Sequence, residues 1–257
     1  MKVIILCGGF GTRLREETDT IPKPMVDIGG RPIIWHIMKT FAQCGYKEFI
    51  LCLGYKADII KNYFLHYSTL SSDFSIDLGS GSIDIHNMHD EHDWKITLVD
   101  TGLTTMTGAR VKKVESYIEE DTFMLTYGDG VTDLDINSLL EFHASHNKIG
   151  TVTGVSPPSR YGELSITNGL VTSFEEKPDS GQSFINGGYF VFNKEFFAYL
   201  ENDDHCILER SPLERLTQDN QLQVYTHTGF WQCMDTYRDY LFLSEQWANG
   251  QAKWKTW

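Results

Sequence analysis

Three short apolar runs, KVIILC at 2–7, EFILCLG at 48–54 and ITLVDTG at 96–102, restrict this chain to few folds. Strands lacking polar alternation are buried on both faces, the condition of a parallel sheet between two helical layers. Each run is followed by a segment of helical period. RPIIWHIMKTFAQCG has apolar residues at 33, 34, 37, 38 and 41, starts with Pro32 near its first turn and ends at Gly45. Further helices are predicted near 56–66, over 108–118 and over 135–146, with strands at FMLTYGDG and GTVTGVS. The alternation implies right-handed βαβ units, hence a Rossmann-like α/β fold with a mostly parallel sheet flanked by helices.

Past residue 155 the pattern changes. YGELSITNGLVTSFEEK is predicted to be a hairpin turning at Asn168-Gly169. INGGYFVF and QLQVYTH are strands, and TYRDYLFLSEQWANG is a closing helix. The polar stretch 68–93, with GSGS and weak alternation, is an excursion from the sheet, a hairpin or lid. At 257 residues without a repeat or linker, one domain over 1–257 is expected.

A net charge of −13 repels phosphate backbones, so binding of nucleic acid by broad electrostatic attraction is not expected. No run is long enough for a membrane span. Five scattered cysteines without CxxC spacing fit reduced thiols in a cytoplasmic protein. Cys7, inside the first strand, is a small core hydrophobe.

Against that acidic background, LCGGFGTRLREETDTIPKPM at 6–25 concentrates three glycines, Arg13, Arg15 and Lys23 in one connection. The Rossmann fingerprint fails at Leu14, where its third glycine would stand, and no Lys-Ser or Lys-Thr completes a Walker loop. A looser phosphate cradle remains, in which N–H groups of Gly8 to Thr12 surround an anion and Arg13 adds a planar donor fork. Pro22 and Pro24 restrict the backbone on both sides of Lys23.

These residues resemble the signature of the sugar-1-phosphate nucleotidyltransferases, GxGTRL followed by PKPM. The resemblance runs through GGRPIIWHIMK, MTGARVKKV, FMLTYGDGV, FEEKP, INGGYFVF, GFWQCMDT and WKTW. Within the family it is nearest to members that join CTP to α-D-glucose 1-phosphate, giving CDP-glucose and pyrophosphate for deoxysugars of surface polysaccharide. The resemblance implies Mg²⁺, a homo-oligomer of six chains or fewer and a smaller sugar-binding β subdomain, with 1–155 mainly the nucleotide-binding half of the single domain and 156–257 mainly its sugar-phosphate-binding half. Other readings are a sister enzyme using a different triphosphate or acceptor, and a non-catalytic sugar-nucleotide sensor. REET at 15–18 marks the subfamily without an assigned contact, stretch 68–93 shares little with the family pattern, and Cys233 stands where a proline is common.

Phosphoryl transfer of this kind needs alignment and charge neutralisation, not a side-chain nucleophile. Arg13, Lys23 and Asp129 are the catalytic candidates. Asp129 ends an apolar strand between two glycines, where α/β sheets bind ligands, and suits a hard cation. Asp235 joins it as metal ligand by resemblance, although an N-terminal helix cap is its plainer reading. By resemblance, Leu6, Cys7, Gly8, Gly9, Phe10, Gly11, Thr12, Arg13, Lys23, Thr105, Arg110 and Gly128 hold the nucleotide. Gly162, Glu176, Lys177, Asn186 and Gly187 hold the sugar phosphate. His86, His89 and His92 lack a common zinc spacing and read as solvated loop residues or a subunit contact.

Overall fold

The computed structural model describes residues 1–14, 18–156, 163–175 and 184–257; of 13, 163–166, 174 and 175 it describes the backbone alone. β1 (Lys2–Leu6) leads through the glycine loop and a small ribbon, β2 (Asp27–Ile28) and β3 (Arg31–Pro32), into α1 (Ile33–Ala42). Next come β4 (Glu48–Leu53), α2 (Ala57–Leu65), α3 (Tyr67–Ser71), and the ribbon β5 (Phe74–Ile76) with β6 (Ile83–Ile85). β7 (Lys95–Asp100), α4 (Thr107–Lys113), β8 (Thr122–Tyr127), β9 (Gly130–Thr132), α5 (Ile136–Ser145) and β10 (Gly150–Val155) follow. β11 (Glu163–Thr167), β12 (Leu170–Glu175), β13 (Ile185–Asn193), α6 (Ser211–Gln218), β14 (Leu222–His227), β15 (Trp231–Cys233) and α7 (Tyr237–Ala248) complete the order.

Seven strands form the central sheet, in the order β14-β10-β13-β8-β1-β4-β7. Neighbours are parallel except at β13, which is antiparallel to β8 and to β10. Side chains alternate across it. Val3 and Ile5 of β1 and Phe49 and Leu51 of β4 join the core built on α1. Ile4, Leu6, Ile50 and Cys52 join a second core, rich in phenylalanine, under α4. Both faces are buried at β1 and β4, as their continuous apolar runs require, whereas β7, the third such run, is an edge strand and only partly buried.

The chain lays down β1, β4 and β7 outward in one direction, then returns past β1 to add β8 on its other side. Connections therefore diverge between β1 and β8, which opens a crevice at their carboxyl ends. The glycine loop after β1 and Asp129 after β8 both stand at that crevice.

Some elements differ from expectation for visible reasons. The helix predicted over 108–118 ends at Lys113 and continues as a tight turn, Glu115–Tyr117, which buries both Val114 and Ile118. FMLTYGDG is two strands: β8 stops at Tyr127, and β9 pairs with β15 outside the main sheet. The hairpin turns at Asn168 and Gly169, both at positive φ. Stretch 68–93 carries the β5–β6 ribbon. The tryptophan-rich C-terminus packs back on its own chain, Trp254 fully buried near His36 and Trp247.

Candidate active site

A cleft of about 590 Å³ occupies the crevice. Leu6, Cys7, Gly8, Gly9, Phe10, Gly11 and Thr12 form one wall, and Tyr127, Gly128 and Asp129 another. Residues 103–107, with Thr105, close a third side; Lys23, Pro24 and Arg110 also face it. The cleft thus gathers the residues expected at the nucleotide, apart from Arg13, whose backbone lies in the turn Thr12–Leu14 and whose side chain is outside the described residues.

Arg110 explains how the loop keeps its shape. Its guanidinium donates from one nitrogen to the Leu53 carbonyl (2.9 Å), Thr101 Oγ1 (2.6 Å) and the Gly102 carbonyl (2.8 Å). The other nitrogen donates to the Gly8 carbonyl at 3.1 Å and that of Leu103 at 3.4 Å. Burial lowers its affinity for the proton, and the side chain is only 4% exposed. A Cβ at Gly8 would fall 2.2 Å from this fork and would push the guanidinium off its carbonyl partners. The geometry therefore sets Arg110 beneath the loop, binding strand ends and glycine loop together.

Lys23 lies at the other end of the cleft. Its Nζ donates to Asp129 Oδ2 at 2.6 Å and to Asp235 Oδ1 at 2.7 Å. Burial opposes the charge, but the Asp129 carboxylate, the neighbouring Cys233 and both hydrogen bonds outweigh it and raise Lys23 above an ordinary lysine. Asp129 arrives on the turn after β8. Asp235 arrives because β15 pairs with β9, Cys233 opposite Gly130, and the Met234 N–H donates to the Asp129 carbonyl at 2.8 Å. A capping box fixes the following turn: Thr236 Oγ1 accepts from the Asp239 N–H, and Asp239 Oδ2 accepts from the N–H groups of Asp235 (3.2 Å) and Thr236 (2.9 Å).

The donor atoms of Asp129, Cys233 and Asp235 lie within 4.8 Å of one another. Two hard carboxylates that already share one cation, the Lys23 ammonium, are a donor set that fits a divalent metal. His86 and His89 are engaged elsewhere, with Ser75 and Ser68, and His92 with the His89 carbonyl. Among the described residues these histidines form no metal cluster. Burial pushes the Cys7 thiol well up, as suits a core residue.

On the sugar side, Asn186 Oδ1 accepts from the Gly188 N–H at 2.8 Å and Nδ2 approaches Tyr127 Oη at 3.4 Å. The Gly187 carbonyl accepts from Trp231 Nε1 at 2.7 Å. Gly162, Glu176 and Lys177 lie outside the described residues. Sequence reasoning missed Tyr127, which lines the cleft, and its partner Glu209: Tyr127 Oη donates to Glu209, and Thr107 Oγ1 donates to Glu209 Oε2 at 2.7 Å. Tyr127 was legible as the residue preceding Gly-Asp-Gly at a strand end. Glu209 was not, because only tertiary packing brings it across.

The chain is 48% identical to glucose-1-phosphate cytidylyltransferase of Salmonella typhimurium, covering 100% of both sequences. It is 28% identical to mannose-1-phosphate guanyltransferase of Saccharomyces cerevisiae over 98% of this chain and 66% of that one. Its fold matches the crystal structure of HddC from Yersinia pseudotuberculosis at a TM-score of 0.69 and 26% identity, covering 96% of this chain and 99% of the other. The profile described as Nucleotidyl transferase matches residues 2–249, which takes in the glycine loop, both aspartates and every strand of the sheet. The chain belongs to that family.

Proposed function

We propose that this chain is a glucose-1-phosphate cytidylyltransferase, transferring CMP from CTP to α-D-glucose 1-phosphate with release of pyrophosphate. Full-length identity of 48% to a cytidylyltransferase of that specificity is the observation that carries the reading. The cleft supports it, because the glycine loop, Lys23 and Asp129 face the same space and Asp235 shares the Lys23 ammonium with Asp129. An oxygen of the sugar phosphate attacks the α-phosphorus, the pyrophosphate oxygen leaves on the opposite side, and no covalent enzyme intermediate is required.

The residues divide that work. N–H groups of 8–12, with Arg13, hold the triphosphate, and Thr105, Arg110 and Gly128 shape the nucleotide's side of the cleft. Gly162, Glu176, Lys177, Asn186 and Gly187 are proposed for the sugar phosphate, so that 156–257 form mainly the acceptor half of one domain. Lys23 offsets the repulsion between Asp129 and Asp235 and supplies positive charge beside the phosphates. Members of the family use a divalent metal; here Asp129 and Asp235 would hold Mg²⁺, which supplies charge neutralisation at the phosphates when bound.

Among the described residues no helix is long and apolar enough to cross a membrane, and all five cysteines are free thiols. Free thiols suit a reducing, cytoplasmic setting; a role in supplying deoxysugars for surface polysaccharide rests on the likeness to glucose-1-phosphate cytidylyltransferase alone. Phe74, Ile76, Ile83 and Ile85 share one face of the β5–β6 ribbon and remain 39–49% exposed, which supports a homo-oligomer covering that face.

Purified protein with Mg²⁺ and glucose 1-phosphate, offered each common triphosphate in turn, tests the reading. Pyrophosphate should be released fastest with CTP. A preference for UTP or dTTP overturns the specificity, and no release with any triphosphate points to a sensor.

A further inference from the structure

The donor set around Lys23 contains one atom that the reaction above leaves without a role, the thiol of Cys233. Cys233 ends β15 and Asp235 follows two residues later, and the ligand atoms of both gather with that of Asp129. They reach Asp129 because β15 pairs with β9 and sets Cys233 opposite Gly130. The Met234 N–H holds the two segments together through the Asp129 carbonyl. Sulfur and both carboxylates consequently come within 4.8 Å of one another, a span one ion can bridge. The Lys23 ammonium already lies between both carboxylates, so an ion entering there takes its place.

Resting on the reading of Asp129 and Asp235 as a metal centre, we propose that Cys233 is its third protein ligand and makes it a site for thiophilic divalent cations. Two oxygens and one sulfur suit Zn²⁺, Co²⁺ or Cd²⁺ better than they suit Mg²⁺, which prefers oxygen alone. On binding, the Cys233 S–H gives its proton to solvent and the thiolate bonds the metal; no electron is transferred. Lys23 is displaced from the carboxylates, since the ion and the ammonium compete for the same oxygens.

Co²⁺ alone, added to the reduced protein, is the probe, because a thiolate ligand gives cobalt a near-ultraviolet charge-transfer band that oxygen ligands do not. The wild type should show that band, Cys233→Ser and Cys233→Ala should lose it, and Asp129→Asn should weaken it. Zn²⁺ affinity by competition with a chromophoric chelator should fall about tenfold or more in Cys233→Ser. Circular dichroism and thermal melting of each variant verify that it is folded. A band retained in Cys233→Ser would place the sulfur elsewhere and overturn the proposal. So would absence of a band in wild type. Mg²⁺-dependent turnover of Asp129→Asn is measured separately: if that turnover collapses while wild type shows no band, the thiol ligand fails and the metal-centre reading stands.

Discussion

Lys23 sits where two opposing demands meet. In the function proposed above Asp129 and Asp235 act on one cation, and two carboxylates that close repel unless a positive charge lies between them. Replacing Lys23 with Ala removes that charge and leaves the pair uncompensated in a partly buried site. Turnover is expected to drop by about 10²–10³-fold, the loss typical of one charged group acting on a transition state. Asp129→Asn is expected to cost a similar factor, and the double variant should lose much less than the product of the two, because they act as a unit. Steady-state kinetics of the three proteins check this; strict additivity would mean that Lys23 and Asp129 work independently. Much of this site could be read from residue order alone: Gly-Asp-Gly at a strand end, and Pro-Lys-Pro after a glycine loop. The partner of Lys23 could not. Its contact with Asp235 spans 212 positions and depends on a two-stranded pairing, β9 with β15, that the sequence does not announce. The guanidinium of Arg110 was equally hidden, because its five acceptors are four carbonyls and a hydroxyl with no side-chain pattern among them that a sequence can display.

At the scale of elements, α1 shows the same division. Its apolar stripe at 33, 34, 37, 38 and 41 was plain, but His36 on the other side is also fully buried, because Trp247, Trp254 and Trp257 wrap over it. His36 Nε2 faces the Ile28 carbonyl at 2.9 Å, and Trp254 Nε1 donates to Nδ1 at 3.4 Å, an arrangement that suits a neutral ring. Burial lowers its proton affinity from 6.5 to about 4, against smaller opposing contributions from backbone hydrogen bonds and Asp27; Arg31 acts in the same direction as burial. Since the unfolded chain takes up the proton first, this stabilisation is complete above pH 6.5 and is lost as pH falls through about 4. It amounts to about 3 kcal/mol. Urea midpoints between pH 7.5 and 4 should therefore fall more steeply for wild type than for His36→Gln, and equal slopes would refute the assignment. The capping box at α7 predicts a different outcome. Thr236→Ala removes an N-cap acceptor worth about 1 kcal/mol and loosens the turn that carries Asp235. Turnover should fall further than that lost stability alone accounts for, by comparison of kcat with Tm; an unchanged kcat would separate the cap from the site.

The whole molecule follows from one topological decision, the return of the chain past β1 to place β8 on its far side. Strand and helix alternation made that architecture legible, since short apolar runs set between segments of helical period suit a sheet covered on both faces. What alternation cannot give is the fate of segments outside the sheet. On the β5–β6 ribbon, Ile76 pairs with Ile83 and Phe74 with Ile85, so four apolar side chains share one face while Ser75 and Asp84 take the other. Leu78, at the tip, is 88% exposed. A two-stranded ribbon has too little core to be stable alone, and such a face in water disfavours it further. A second copy of this chain packing on the face, as proposed above, would remove both costs. Ile76→Glu with Ile83→Glu places two like charges on directly paired positions of that face and leaves the cleft untouched. Sedimentation should find the wild type as a multiple of the single-chain mass and the double variant as single chains, with far-ultraviolet circular dichroism unchanged. A wild type that sediments as one chain, or a double variant that still assembles, would show that the ribbon does not hold the oligomer together.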